Sequence, residues 1–167
     1  MYNVNMNDMS DIKKYTICDT NAAGYGKTTS LKAVIETIKN KGHKPIVYRV
    51  IDGNDLYAQF IIDSVRIACI TQGDPNSHQG ELLYESFVWG ADVIVCAART
   101  TGETFYNIYK TVCNGNVADF SAYTKIFLRN PYHDYGVTLS QSEYNTLGNV
   151  FSNEIIELIE SFMSIKI

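Results

Sequence analysis

Residues 21–29 read Asn-Ala-Ala-Gly-Tyr-Gly-Lys-Thr-Thr, between an apolar run at 12–18 and a helix-period run at 29–41. This strand–loop–helix arrangement constrains the chain more than any other stretch. Glycines at 24 and 26 let the backbone curl so that successive N–H groups face one point. A helix starting there adds its own N–H groups and positive dipole end. Such a loop suits a phosphate. In the pattern G-x-x-x-x-G-K-[ST], the lysine, here Lys27, reaches the β- and γ-phosphates, and the hydroxyl of Thr28 coordinates magnesium. The first glycine of the pattern falls on Asn21, a residue that also tolerates positive φ. The competing reading is a tight strand–helix turn with an incidental Gly-Lys-Thr.

With 167 residues the chain is long enough for one domain with a full core, so a single domain over 1–167 is expected, residues 1–10 forming a flexible N-terminus. Apolar residues make up 46% and charged residues 19%, a globular rather than a disordered balance. The net charge of −4 argues against a dominant attraction to nucleic acid or anionic lipid. No apolar run reaches the roughly 18 residues of a membrane span, and the polar N-terminus lacks a secretion signal. Cys18, Cys69, Cys96 and Cys113 show no C-x-x-C spacing, and three of them lie in apolar runs. Buried thiols in a reducing cytoplasm are the simpler expectation. His43, His78 and His133 stand apart and form no metal-ligand pattern.

Apolar runs alternate with helical patterns, the signature of a parallel sheet covered on both faces. Strands are expected at 12–18, 45–51, 65–71, 92–98 and 124–128, with 56–62 ambiguous between helix and strand. Helices are expected at 29–41, ending at Gly42, and at 79–89 and 103–113, the last stopping at Asn114-Gly115. Ser140-Gln141-Ser142-Glu143 reads as a capping box for a final helix, with an interruption near Gly148. Glutamates at 154, 157 and 160 make residues 151–162 a helix packed on the sheet rather than one lying on a membrane. The predicted fold is α/β: a three-layer P-loop fold with a mainly parallel sheet of five or slightly more strands.

In open parallel sheets a ligand sits beyond the carboxyl ends of the strands. Those ends carry the phosphate loop, Asp52-Gly53-Asn54-Asp55, Thr71-Gln72-Gly73-Asp74, Arg99-Thr100-Thr101 and Arg129-Asn130-Pro131. A single aspartate there is commonly a turn former. Five polar ends in register with a phosphate loop point to a magnesium–nucleotide site.

The stretch Ala22-Ala23-Gly24-Tyr25-Gly26-Lys27-Thr28-Thr29 resembles the deviant Walker A loop, K-G-G-x-G-K-T-T, of ParA/MinD-type ATPases. Residues 42–55, ending in Asp52 and Asp55, are similar to that family's second strand, whose Asp-rich turn orients the attacking water. Gly90-Ala91-Asp92-Val93-Ile94-Val95 is similar to its fourth strand, and Ile126-Phe127-Leu128-Arg129-Asn130 to the strand whose terminal Asn contacts adenine. The resemblance implies that ATP and Mg²⁺ are held by Ala23, Gly24, Tyr25, Gly26, Lys27, Thr28, Thr29, Gly73 and Asn130. Lys27, Asp52 and Asp74 would carry the chemistry, with Thr28 and Asp74 on the metal. Two departures matter. The signature lysine, which reaches a partner subunit's phosphates, falls on Ala22, so a homodimer is weakened. The family's Asp-Thr-Pro-Gly reads Ile70-Thr71-Gln72-Gly73, so the magnesium-holding carboxylate passes to Asp74 or Asp52. Arg99 is either a surface arginine or a replacement for the lost lysine charge.

The resulting reading is a reduced, slow ATPase or nucleotide switch with a protein partner. A small-molecule kinase is the enzyme alternative, although the chain has only Arg49, Arg66, Arg99 and Arg129 to build a lid. A nucleotide-sensing module without turnover is the non-enzyme alternative.

Overall fold

The structure, a computed structural model, describes residues 12–21, 27–129 and 139–167. Residues 1–10, Ala22 to Gly26 and Asn130 therefore lie outside the described residues, and with them the expectations placed there. Among the described residues the order is β1 (Lys14–Thr20), α1 (Lys27–Asn40), β2 (Val47–Val50), β3 (Leu56–Ile62), β4 (Val65–Ile70), α2 (Gln79–Trp89) and β5 (Val93–Ala98). Then follow α3 (Glu103–Tyr106), β6 (Lys110–Cys113), β7 (Asn116–Asp119), a 3-10 turn (Phe120–Ala122), β8 (Tyr123–Leu128) and α4 (Gln141–Met163).

The chain is α/β, built on a six-stranded sheet in the order β2-β3-β4-β5-β1-β8. Strands β4, β5, β1 and β8 run parallel, while β3 is antiparallel to both β4 and β2. Six strands agree with the expected five or slightly more, but the sheet is mixed rather than mainly parallel throughout, because both pairings of β3 are antiparallel. The ambiguous segment at 56–62 is β3, tied to β4 by Asp63 and Ser64, both at positive φ. A two-residue turn of that kind matches the twist of an antiparallel hairpin. Since β2 and β4 both oppose β3, β2 still ends on the same sheet edge as β1, β4, β5 and β8.

Alternation along the strands supplies two cores. Ile17, Phe60, Ile67, Cys69, Val93 and Val95 meet Leu31, Val34, Ile35 and Ile38 of α1 and Phe151, Ile155 and Ile159 of α4. On the opposite face Cys18, Tyr57, Ile70, Ile94 and Cys96 meet Leu82 and Leu83 of α2, with Ile108, Ala118 and Phe120. Strand β5, buried along its whole length, reads as an unbroken apolar run for that reason.

Two helix expectations need correction. Phe105, Ile108, Tyr109 and Val112 have helical spacing, yet α3 is a single turn and the chain continues into the β6–β7 hairpin. Asn114 and Gly115, at φ 50° and 75°, form the hairpin turn and do not end a helix. Asn-Gly is the strongest short hairpin signal, and β-branched Thr111 and Val112 favour the strand. Helix α4 keeps its capping box, with Glu143 N donating to Ser140 Oγ at 3.2 Å, but it runs unbroken through Gly148. A Cβ at 148 would lie 3.4 Å from Thr29 Cγ2 and 3.7 Å from Ser30 Cα, so the glycine lets α4 cross closely over the first turn of α1. No helix among the described residues is long and apolar enough to cross a membrane.

Candidate functional site

The crossing at Gly148 brings the start of α4 over the start of α1, above the carboxyl edge of the sheet. Between them lies a cavity of about 280 Å³, lined by Lys27, Thr28, Thr29, Asp55, Gly73, Asp74, Gln141 and Tyr144. Five of the residues expected from the sequence for phosphate or metal therefore share one wall-to-wall site: Lys27, Thr28, Thr29, Gly73 and Asp74.

Lys27 is the first residue of α1 and is buried rather than solvent-facing, with 7% of its surface exposed. Its Nζ donates to the carbonyl of Asn21 at 2.8 Å, tying the helix start to the end of β1 across the loop. Burial pushes the ammonium below its ordinary pKa; Asp74 and Asp19 pull it back up, and Arg99 opposes them. Burial disfavours the ammonium charge, and further negative charge arriving beside it would favour that charge. Asp19 is fully buried in β1, beside Lys27. Asp19 directly follows the apolar run at 12–18, and sequence reasoning assigned it no role.

The carboxylate on the Thr28 hydroxyl is Asp55. Thr28 Oγ1 donates to Asp55 Oδ1 at 3.3 Å, and Thr71 Oγ1 donates to the same oxygen at 3.0 Å. Thr71 in turn accepts from Leu56 N at 2.8 Å and donates its own N–H to the Leu56 carbonyl. The end of β4 and the start of β3 are thereby laced together, and this lacing fixes Asp55 over α1. Asp52, three residues earlier, is instead highly exposed and faces His78, with Oδ2 3.3 Å from Nε2. It forms no wall of the cavity. Asp74 does line the cavity, but its Oδ1 accepts from Arg99 Nε at 2.8 Å.

Gly73 is where the chain leaves β4 and passes against β5. A Cβ there would sit 2.6 Å from Ala97 Cβ and 2.8 Å from its carbonyl carbon, so only glycine lets the loop lie this close. Gln79 braces the next turn, its Nε2 donating to the carbonyls of Ala97 and Thr104. Cys18 and Cys96, register partners on β1 and β5, are buried beneath the site, and burial first, then the bond to Cys96, raises the Cys18 thiol well above its usual range. They serve as apolar packing rather than as nucleophiles.

The arrangement sets one buried lysine and two hydroxyls of a helix start against two carboxylates. A site of cations alone would suit a bare anion. A lysine facing carboxylates suits an anion that arrives with a divalent cation, because Mg²⁺ takes few protein ligands and the rest from phosphate and water. Among the described residues no three His, Cys, Asp or Glu side chains gather into a metal cage. Comparison of the chain with models of protein families, with curated proteins and with solved structures gives no match.

Proposed function

We propose that this chain is a P-loop nucleotide-binding protein that takes Mg-ATP at the carboxyl edge of its sheet, and that its layered α/β architecture is a P-loop NTPase fold. One observation carries the reading. Lys27 and Thr28, the motif's phosphate and metal residues, open onto the same cavity as Asp55, and Thr28 is already hydrogen-bonded to it. That donor set fits magnesium: a hydroxyl and a carboxylate oxygen, both hard ligands. In the proposal Lys27 holds the β- and γ-phosphates, Thr28 and Asp55 hold the metal, and the Gly73 N–H faces the terminal phosphate. The bound metal would neutralise phosphate charge. Asn130 as the adenine contact remains part of the resemblance to ParA/MinD-type ATPases.

Slow turnover or a pure switch fits better than fast hydrolysis. Asp52, the carboxylate that the resemblance would give to the attacking water, points at His78 and not into the cavity. The free cysteines, three of them buried, suit a reducing cytoplasm, which we take as the setting. Phosphate release and ADP formation, each measured with and without a panel of acceptors, separate the readings. Slow phosphate release alone supports the ATPase, and tight binding without turnover supports the switch. Acceptor-dependent ADP formation would make the chain a small-molecule kinase.

A further inference from the structure

We infer that Arg99 and Asp74 form a latch that reads the third phosphate of a bound nucleotide, Arg99 leaving Asp74 to engage that phosphate. The inference rests on the nucleotide reading above. Asp74 is a wall of the cavity, and Arg99 stands behind it at the end of β5, holding it through a single bond from Nε at 2.8 Å. The Nη groups of Arg99 make no hydrogen bond among the described residues, so the fork that suits a phosphate is available.

The backbones on either side are braced, so the exchange is confined to side chains. Arg99 N donates to Thr104 Oγ1 at 3.0 Å, and Asn76 N donates to Glu103 Oε2 at 3.3 Å. Gln79 ties β5 to α3 through Ala97 and Thr104. The ion pair itself is weakly held: its side chains are 31% and 63% exposed. Exposed pairs bias an equilibrium by about fivefold or less. A phosphate carries more charge than a carboxylate and accepts from a guanidinium at two oxygens, so it competes favourably for Arg99. Both side chains already act on Lys27, Asp74 favouring its charge and Arg99 opposing it, so a phosphate held by Lys27 would come within their electrostatic reach. The loop at 21–29 carries one lysine and no arginine, and Arg99 is the guanidinium paired with a wall of the cavity.

The test is equilibrium binding of a non-hydrolysable ATP analogue and of ADP, each with Mg²⁺, to wild type, Arg99→Ala, Arg99→Lys and Asp74→Asn. Arg99→Ala should lower triphosphate affinity about tenfold or more while ADP affinity changes by less than about threefold. Arg99→Lys should fall between wild type and Arg99→Ala, and Asp74→Asn should hold or raise the triphosphate preference. An unchanged ATP-to-ADP ratio in Arg99→Ala, or an equal loss for both nucleotides, overturns the latch alone. So does a loss of magnesium dependence in Asp74→Asn, which would make Asp74 a metal carboxylate. Wild type that binds neither nucleotide overturns the nucleotide reading and the latch with it.

Discussion

Asp55→Asn isolates the carboxylate that the structure brings to Thr28. One oxygen of Asp55 accepts two hydroxyl hydrogen bonds, from Thr28 at 3.3 Å and Thr71 at 3.0 Å. An amide oxygen can still accept both, so shape and bond count survive while the charge is lost. Hydrogen bonds to a charged group contribute about 1.5–3 kcal/mol and neutral ones about 0.5–1.5 kcal/mol. The longer Thr28 bond and partial exposure put the expected loss near the low end, about 1–2 kcal/mol for the pair. For a chain of this size that is a fall in melting temperature of roughly 2–8 °C. The larger effect is on the ligand. Without the carboxylate, nucleotide affinity should lose most of its dependence on Mg²⁺, while affinity without metal stays equal or rises as a negative charge leaves the cavity. Thermal melts, and binding titrations with Mg²⁺ and with EDTA, read both effects. An Asp55→Asn protein as stable and as magnesium-dependent as wild type would refute the assignment.

Gly73→Ala should destabilise by about 1–3 kcal/mol, because the new Cβ would meet Ala97 at 2.6 Å; a melt at or above the wild-type temperature would contradict the close approach. Lys27 has a lowered pKa through burial, and a phosphate beside it favours the charged form, so Mg-ATP binding should take up protons at pH values between the lowered value and the ordinary 10.5. Calorimetry in two buffers of different ionisation enthalpy checks this, and proton release would contradict it. Tyr123 donates to the Ala91 carbonyl at 2.6 Å and burial pushes its phenol up to about 12. A raised acid pKa stabilises the fold below about pH 10 and loses that contribution as the pH rises towards 12. Tyr123→Phe should therefore cost about 1–2 kcal/mol at neutral pH and show a shallower stability loss across that alkaline window, measured by denaturant titration at stepped pH.

What the sequence made legible was the part written in local pattern. Strand β5 is apolar because both faces are buried, and α1 declares itself by an apolar stripe and a following Gly42 at positive φ. The capping box at Ser140 is likewise a local code. The misread stretch at 103–113 held two local signals at once, helical spacing and an Asn-Gly turn, and packing of Ile108 and Ala118 against the sheet favours the hairpin. For the site, Lys27, Thr28 and Thr29 follow from one motif. Which aspartate meets Thr28 does not, because it depends on the register of β3 against β4 and on the Thr71–Leu56 lacing. Gln141 and Tyr144 reach the cavity only through the helix crossing at Gly148, a tertiary contact that a single glycine in a helical pattern does not announce.

The central claim is that Lys27 holds phosphate in this cavity, and calorimetric titration of Mg-ATP into wild type and Lys27→Ala tests it most directly. The substitution also removes the bond from Nζ to the Asn21 carbonyl, so far-UV circular dichroism and a thermal melt accompany the titration to establish that the variant is folded. Wild type should bind with a one-to-one stoichiometry, and folded Lys27→Ala should bind at least about ten- to hundredfold more weakly, the size of a lost charge-assisted contact. Equal affinity in the two proteins would contradict the account.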